Sequence, residues 1–257
     1  MNRRCLAVAS FCLFSIAYGV TQQTSNQEEF GKQVQHLMEV EVGFMNMVPQ
    51  GMSIEAKEIS RTGKSGSLVV KYNIYVKGAP ADAIFRGFNW PANAEKPSVA
   101  LDGITAAKDG LLICAGRTDY DCGTRQKPDD PIDFIVTPLK GEPFRVAFVA
   151  GDLQIGTVVV PDPVQAADKG CSLSAVRLTS KFELAFLSGS GYSPNTDIHY
   201  RVSTGDSKKD FVVKSTDQGI IRTGVVPAGA GKTKGTTNVK IIEPTCSPEV
   251  SYQWGTL

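Results

Sequence analysis

The sequence has little histidine, almost no net charge and no long hydrophobic run beyond its first residues. Only two of the 257 residues are histidine, and 27 Lys and Arg balance 26 Asp and Glu. Because there are only two histidines, the sequence favours neither histidine-based catalysis nor a metal held by imidazoles. A nearly neutral chain also lacks the basic surface that nucleic acid or an anionic membrane would need. We therefore expect no nucleic-acid partner.

The longest apolar run lies at the amino terminus and is too short to cross a bilayer comfortably. Cys5 to Ala17 carry no charge and follow the basic start Met1-Asn2-Arg3-Arg4. This order is typical of a secretory signal peptide, and Ala17 and Gly19 are small residues at the two positions that signal peptidase reads. We expect a signal peptide over residues 1–19, no membrane span in the mature chain, and a secreted or periplasmic protein. An uncleaved anchor is the alternative.

The number of cysteines is also what an exported protein would have. Two of the six lie in the predicted signal peptide, and the four that remain are Cys114, Cys122, Cys171 and Cys246. An even number of cysteines in an exported chain predicts disulfide bonds. A metal site is a weak alternative, because no C-x-x-C spacing exists and neither histidine lies near a cysteine in sequence. Three pairings are possible. The domain division below favours Cys114 with Cys122 and Cys171 with Cys246.

The polar segment 20–44 permits two structures. Val20 to Glu29 are rich in Gln, Thr, Ser and Asn, which predicts little order. Ser25 and Glu28 have capping-box spacing, and the apolar residues that follow predict a short helix over 26–38. From Met38 to Phe44, however, apolar and polar residues alternate as in a strand. Both interpretations stay open.

Residues 45–160 show the period of β-strands and no convincing helical period. The alternation predicts a hairpin between Ile54–Ala56 and Leu68–Val76, with its turn at 61–66. A second hairpin is predicted to join Ile132–Val136 to Phe144–Val149. Shorter strands are expected near Ile84 to Phe88, Ser98 to Leu101, Leu111 to Cys114 and Thr157 to Val160. The segment is therefore predicted to be a β-sandwich domain.

Residues 161–170 are predicted to be a linker, because Pro161-Asp162-Pro163 and the following residues show no alternation. Residues 171–257 contain about seven short apolar runs separated by Gly, Pro, Asn and Asp, the spacing of a β-sandwich. The prediction is an all-β protein of two consecutive β-sandwich domains, 45–160 and 171–257. A single larger β protein is the alternative if both halves share one core.

Two turn motifs in the second half suggest a family. Gly189-Ser190-Gly191-Tyr192-Ser193-Pro194-Asn195-Thr196 and Ser215-Thr216-Asp217-Gln218-Gly219 resemble turns of the immunoglobulin-like modules found in bacterial exported proteins. In those modules a G-x-G-[FY]-x-P-[GN] turn opens a strand and a T-D-x-x-G turn closes a hairpin, with Gly and Asn at positive φ and the Asp side chain as a backbone acceptor. Here a single residue, Gln218, separates Asp217 from Gly219. The resemblance covers about residues 171–257 and implies an immunoglobulin-like fold without implying an activity. The first half resembles no family that we recognise.

Several motifs resemble parts of ligand sites but are better explained as loops. Gly231-Lys232-Thr233 matches the end of a phosphate-binding loop, but Val226 stands where its first glycine is required and no helix is expected to follow. Asp119, Asp121, Asp129 and Asp130 could hold Ca²⁺, but Arg117, Arg125 and Lys127 lie among them and no calcium-site spacing is present. We expect solvated turns at both places and no cofactor.

Catalytic candidates are few. His36 and His199 lie in different parts of the chain, so a Ser-His-Asp or Cys-His site would have to form between domains. Carboxylate pairs for glycoside hydrolysis stay open, because 26 acidic residues always offer pairs. Trp90, beside Phe88 and Pro91, could present an aromatic face to a sugar, whereas Trp254, which alternates with Tyr252, is expected in the core.

These observations favour an exported, non-catalytic binding or structural module of the cell envelope or extracellular space, with an unknown protein or glycan partner. An envelope hydrolase acting on a glycan or peptide bond is the first alternative. Adhesion or assembly by addition of a β-strand to a partner chain is the second.

Overall fold

A computed structural model describes Lys32, Gly43, 47–91, 96–115, Cys122, 127–179, 183–227 and 233–255. The strands of this part are β1 (Ser53–Thr62), β2 (Val69–Lys77), β3 (Phe85–Asn89), β4 (Ser98–Ala106), β5 (Leu112–Cys114), β6 (Asp133–Val136), β7 (Phe144–Ala150), β8 (Leu153–Val159), β9 (Val164–Asp168), β10 (Cys171–Arg177), β11 (Ala185–Ser190), β12 (Asp197–Thr204), β13 (Ser207–Lys214), β14 (Ile221–Val225), β15 (Lys234–Ile241) and β16 (Glu249–Gly255). The predicted all-β class is confirmed.

The strands all belong to one compact unit, Glu41–Leu257, and the remaining unit is Met1–Val40. The predicted signal peptide and the competing helix and strand of the polar leader lie outside the described residues, apart from Lys32 and Gly43. Among the described residues, no helix has the length and apolar character that crossing a membrane requires.

The first half of the unit is a sandwich of a three-stranded and a five-stranded antiparallel sheet. Their strand orders are β1-β2-β6 and β5-β4-β3-β7-β8. The predicted β1–β2 hairpin is confirmed, because these strands pair from Ser53–Lys77 to Thr62–Val69. Alternate residues of β2 face the core and are nearly inaccessible, namely Val70, Tyr72, Ile74 and Val76. The period of two in the sequence thus predicts the buried face of β2 correctly.

The second predicted hairpin, Ile132–Val136 with Phe144–Val149, is wrong. β6 pairs with β2, while β7 lies in the other sheet between β3 and β8. The two segments meet through their side chains across the core, where the Phe134 ring lies 6.1 Å from that of Phe144 and 5.9 Å from that of Phe148. Alternation shows which side chains are buried, but it does not show whether two neighbouring strands pair in one sheet or pack between two sheets.

The second half is a sandwich of two four-stranded antiparallel sheets, with strand orders β14-β11-β10-β9 and β13-β12-β15-β16. Its core is a hydrophobic cluster separate from that of the first half. A disulfide bond joins Cys171 to Cys246 within this core, and another joins Cys114 to Cys122 in the first half. These are the pairs that the sequence favoured. Trp254 is buried, as expected, and its indole lies against Gly235 of the neighbouring strand.

The predicted linker 161–170 contains a strand and needs correction. β9 pairs with β10 from Asp168–Cys171 to Val164–Ala175, so the second sandwich begins before Cys171. Val164 is 3% exposed and Ala166 packs against the same core. The two prolines obscured this short alternation, yet both precede the strand and therefore remove no hydrogen bond from its ladder.

The loop between β6 and β7 forms hydrogen bonds across the boundary between the two halves. Leu139 to Glu142 form a turn in which Gly141 has φ +78°, the left-handed angle that a type II turn requires at its third residue. The Gly141 amide donates to the Asp162 carbonyl at 2.6 Å, and the Arg177 amide of β10 donates to the Gly141 carbonyl at 2.8 Å. A loop of the first sandwich is therefore hydrogen-bonded to the segment just before β9 and to β10 of the second sandwich.

The turn motifs behind the family resemblance take the left-handed angles expected of them. Gly191, Asn195 and Gly219 have φ of +86°, +54° and +69°. In the second motif the Thr216 hydroxyl accepts the Gln218 amide at 3.2 Å and the Ile220 amide at 3.1 Å. The side-chain acceptor of this turn is therefore Thr216 and not Asp217, the residue that the motif predicts.

Candidate functional site

A groove of about 280 Å³ crosses the outer face of the five-stranded sheet. Its lining residues are Ile84, Arg86, Phe88, Asp102, Val149, Ala150 and Gly151. Strand β3 creates the groove by alternation: Phe85 and Gly87 are buried toward the core, which leaves Arg86 and Phe88 on the outer face. The pairing of β3 with β4 shifts register on both sides of Gly87, and such shifts change where the neighbouring side chains point.

The polar wall of the groove is an ion pair with a defined geometry. Arg86 donates to Asp102 Oδ2 from Nε at 3.0 Å and from Nη2 at 2.7 Å. Asp102 Oδ1 accepts the Gly103 amide at 2.9 Å, so both oxygens of this carboxylate are engaged. The Arg86 side chain is 54% exposed, which leaves much of the guanidinium accessible from the groove. The wall therefore offers oriented donors next to an apolar surface.

The apolar wall consists of Phe88 and the end of β7. Phe88 is half-buried and lies opposite Val99 of β4, which is 55% exposed. Val149 pairs with Arg86 in the register of β3 with β7. An accessible aromatic ring beside a guanidinium and a carboxylate gives this face the mixed apolar and polar character of a ligand site.

Trp90, the residue singled out from the sequence, is not among the groove-lining residues. Its amide donates to the Arg145 carbonyl at 3.1 Å, and the Arg145 guanidinium lies 5.9 Å from the centre of the indole ring. Arg145 is only 5% exposed. Trp90 and Arg145 thus form a cation–π pair beyond the groove, and Phe88 supplies the aromatic ring inside it.

His199 lies next to a carboxylate, a contact that no pattern in the sequence predicted. His199 Nδ1 lies 3.3 Å from Glu243 Oε1, and this oxygen also accepts the His199 amide at 2.8 Å. The Ser247 hydroxyl nearby donates to the Glu243 carbonyl at 3.1 Å, so its recorded bond is to the backbone and not to the imidazole. The His199 side chain is 59% exposed, in agreement with the outward position predicted from its strand.

The remaining candidates form turns where they are described. Asp130 accepts the Lys127 amide at 2.8 Å, and Asp129 has φ +66°. Asp119, Asp121, Arg117, Arg125, His36, Gly231 and Lys232 lie outside the described residues. Within the described ranges, no three His, Cys, Asp or Glu side chains are placed to hold a metal ion.

A second, larger groove of about 520 Å³ lies where the turn after β2 meets the β4–β5 turn. It is lined by Val76, Lys77, Gly78, Ala79, Ala81, Ala106, Ala107, Lys108, Asp109 and Gly110. This lining is mostly backbone and alanine, without an aromatic ring. It therefore lacks the combination of an apolar platform and a fixed polar pair that distinguishes the first groove, which we call the Phe88 groove after its aromatic residue.

Neither the models of protein families nor the curated proteins match this chain. We therefore interpret the Phe88 groove from its geometry and chemistry alone.

Proposed function

We propose that the chain is an exported, non-catalytic binding module whose Phe88 groove holds part of a glycan of the cell envelope or extracellular space. The observation that carries the proposal is the Phe88 ring beside the fixed Arg86–Asp102 pair. A pyranose ring has an apolar C–H face that packs on an aromatic ring, and a rim of hydroxyl groups that bond to guanidinium and carboxylate. The groove offers both kinds of partner side by side.

Two features support export. The basic start followed by a short apolar run has the form of a signal peptide. Two disulfide bonds, Cys114–Cys122 and Cys171–Cys246, are suited to an oxidising compartment such as a periplasm or the extracellular space.

The lining of the groove favours binding over hydrolysis. Most glycosidases use two carboxyl groups on either side of the scissile bond. Among the described residues that line the groove, Asp102 is the single carboxylate, and Arg86 and the Gly103 amide already engage both of its oxygens. Retention of a glycan without cleavage is therefore the expected behaviour.

The test is a pull-down of oxidised residues 20–257 on insoluble cell-wall and extracellular polysaccharides, with the supernatant assayed for released sugars. We expect retention without release, and Phe88→Ala should weaken retention about tenfold because it removes the stacking platform. Arg86→Gln should also weaken it by removing charged donors. Ile135→Ala is the matched control, because Ile135 is an exposed apolar residue, 66% accessible, on the other sheet of the same sandwich.

Each other result has a defined meaning. If Phe88→Ala and Ile135→Ala are retained equally, the groove is not the glycan site. Released sugars would establish the hydrolase alternative and direct attention to the carboxylates. A protein that binds no polysaccharide would overturn the glycan proposal in favour of a protein partner.

A further inference from the structure

Strand β13 is an open edge of the second sandwich. It is the end strand of the sheet β13-β12-β15-β16 and pairs with β12 from Asp197–Lys214 to Thr204–Ser207 without a register shift. Within the described residues, its backbone groups take part in no hydrogen bond outside this ladder. An edge of eight regular residues is a template on which another extended chain can pair.

The hairpin turn determines which backbone groups face the open side. β12 and β13 are joined by two residues, Gly205 and Asp206, and Gly205 has φ +57° at the position where a type II′ turn takes glycine. Such a turn closes on a hydrogen-bonded pair, here Thr204 and Ser207, and the bonded pairs then alternate along the ladder. The amide and carbonyl groups that face outward consequently belong to Lys208, Asp210, Val212 and Lys214.

The side chains of β13 form an apolar centre between cationic ends. Phe211 stacks on Tyr200 with ring centres 5.5 Å apart and remains 42% exposed, and Val212 is 55% exposed. Three lysines flank this centre, namely Lys208, Lys209 and Lys214. The single acid, Asp210, is held by Arg201 through bonds of 2.6 and 2.8 Å. The edge is therefore positively charged, with an uncovered apolar centre.

Four other edge strands, β1, β8, β9 and β16, are protected in ways that β13 is not. β1 has a register irregularity between Glu58 and Ser60, and such bulges disrupt pairing with a new strand. The Gly156 amide of β8 donates to the Met47 carbonyl at 2.7 Å, so a preceding segment already occupies that edge. β9 and β16 pack against each other at the opposite side of the second sandwich.

We propose that β13 binds an extended segment of a partner protein as an added strand, and that this segment carries apolar residues at its centre and carboxylates at its ends. Carboxylates would lie opposite Lys208, Lys209 and Lys214, and an apolar side chain would cover Phe211. Cross-strand pairs of opposite charge and pairs of apolar residues both stabilise a ladder. The partner therefore complements this edge in charge and in hydrophobicity.

Charge also disfavours a second copy of β13 as the occupant in the registers that cover most of the strand. Antiparallel self-pairing centred on Phe211 places Lys208 opposite Lys214, and pairing centred on Asp210 places two Asp210 carboxylates opposite each other. Parallel self-pairing stacks each lysine beside its own copy. Like charges directly opposite one another destabilise a ladder.

The test is an NMR titration of the ¹⁵N-labelled chain with the capped peptide Glu-Val-Thr-Phe-Thr-Glu-Glu, which complements residues 208–214 when antiparallel. We expect shifts concentrated on the amides of β13 and an affinity that falls with added salt. A peptide with lysine in place of each glutamate is the matched control and should bind at least tenfold more weakly.

Two variants separate backbone pairing from side-chain contact. Val212→Pro removes one outward amide and no bond to β12, and should weaken binding about fivefold, whereas Val212→Thr keeps the amide and should bind almost normally. The double variant Lys208→Glu with Lys214→Glu should reverse the preference between the two peptides, and it keeps the proposal testable if the proline variant does not fold.

Three results would overturn the proposal: no shift on β13 with the acidic peptide, equal binding by the proline and threonine variants, or a dimer in solution that Val212→Pro abolishes. The last would make a second copy the occupant. Because β13 and the Phe88 groove lie on different sandwiches, polysaccharide retention by Val212→Pro should equal that of the unaltered chain, and failure of one proposal leaves the other standing.

Discussion

At the scale of single residues, Tyr192 shows how a turn motif acquires a structural role. Its hydroxyl donates to the Ser172 carbonyl at 2.7 Å, and its ring is 6% exposed. Gly219 lies against the Tyr192 backbone so closely that an added Cβ would overlap the Tyr192 carbonyl oxygen. Burial raises the pKa of the Tyr192 phenol to about 12 from its usual 10. The folded chain therefore favours the neutral phenol.

This raised pKa predicts a loss of stability in alkali. The unfolded chain ionises Tyr192 above pH 10 while the folded chain keeps it neutral, so the contribution is complete below pH 10 and is lost as pH rises to about 12. The lost free energy is at most about 2.7 kcal/mol. At pH 8 the free energy of unfolding of Tyr192→Phe should be about 1 kcal/mol below that of the parent, because the variant lacks the hydrogen bond. This difference should narrow between pH 10 and 12, because only the parent carries the phenol that ionises there.

Urea unfolding of both proteins across this pH range measures the difference directly, and other tyrosines contribute equally to the two curves. A deficit that stays constant from pH 8 to pH 12 would show that Tyr192 ionises as readily in the folded chain as in the unfolded one.

At the scale of elements, the disulfide bonds hold segments that the hydrogen-bonded ladders do not join directly. Cys171–Cys246 links the start of β10 to the segment before β16, across 75 residues of sequence. Cys114–Cys122 closes a separation of only eight residues at the end of β5. Both bonds restrict the unfolded chain, and the longer loop loses more conformational freedom when it is closed.

Removing the two bonds should therefore cost different amounts. Replacing Cys171 and Cys246 together by alanine should lower the free energy of unfolding by about 4 kcal/mol, whereas replacing Cys114 and Cys122 should lower it by about 2.5 kcal/mol. Denaturant unfolding of the two double variants, beside the oxidised parent, measures both values. A larger effect from the short loop would contradict the chain-entropy argument and point to local packing around Cys122.

At the scale of the whole molecule, two separate cores are joined by a polar contact. Arg177 is 3% exposed, and its guanidinium donates to the Gln253 carbonyl at 2.9 Å. Burial lowers the pKa of Arg177, and the carboxylates of Glu142 and Asp162 oppose that change. The attraction between Arg177 and Glu142, together with the two backbone bonds of Gly141, connects the loop before β7 to the second sandwich.

Gly141→Ala should loosen this connection. An added Cβ would lie 3.0 Å from Val164 Cγ2 and 3.3 Å from Arg177 Cγ, in addition to the cost of about 1–2 kcal/mol for a side chain at positive φ. We expect faster cleavage by trypsin after Lys140, in the loop that this contact holds. Gly151→Ala is the matched control, because Gly151 also has positive φ and no atom within 4 Å of an added Cβ. Equal cleavage of the two variants would show that the Gly141 contact does not protect this segment.

The groove of the proposed function could be predicted only in part. Phe88 was named from the sequence as an aromatic residue near Trp90, but its partners were not. Arg86 and Asp102 are separated by 16 positions and meet because β3 pairs with β4. Trp90 was the aromatic residue that the sequence favoured as a sugar platform, yet the Arg145 guanidinium lies over its ring. Which aromatic ring lies in a groove depends on contacts between strands that no local pattern contains.

The sequence by itself determined the all-β class, the buried face of β2 and the turns at Gly191, Asn195 and Gly219. These features follow from periods of two and from backbone angles, which are properties of neighbouring residues. Only the tertiary structure decided that β6 pairs with β2, that Val164–Asp168 is a strand, that Arg86 meets Asp102 and that β13 is left open at the sheet edge. Those outcomes depend on which distant segments bury each other's apolar faces, and that choice is made by packing over the whole chain.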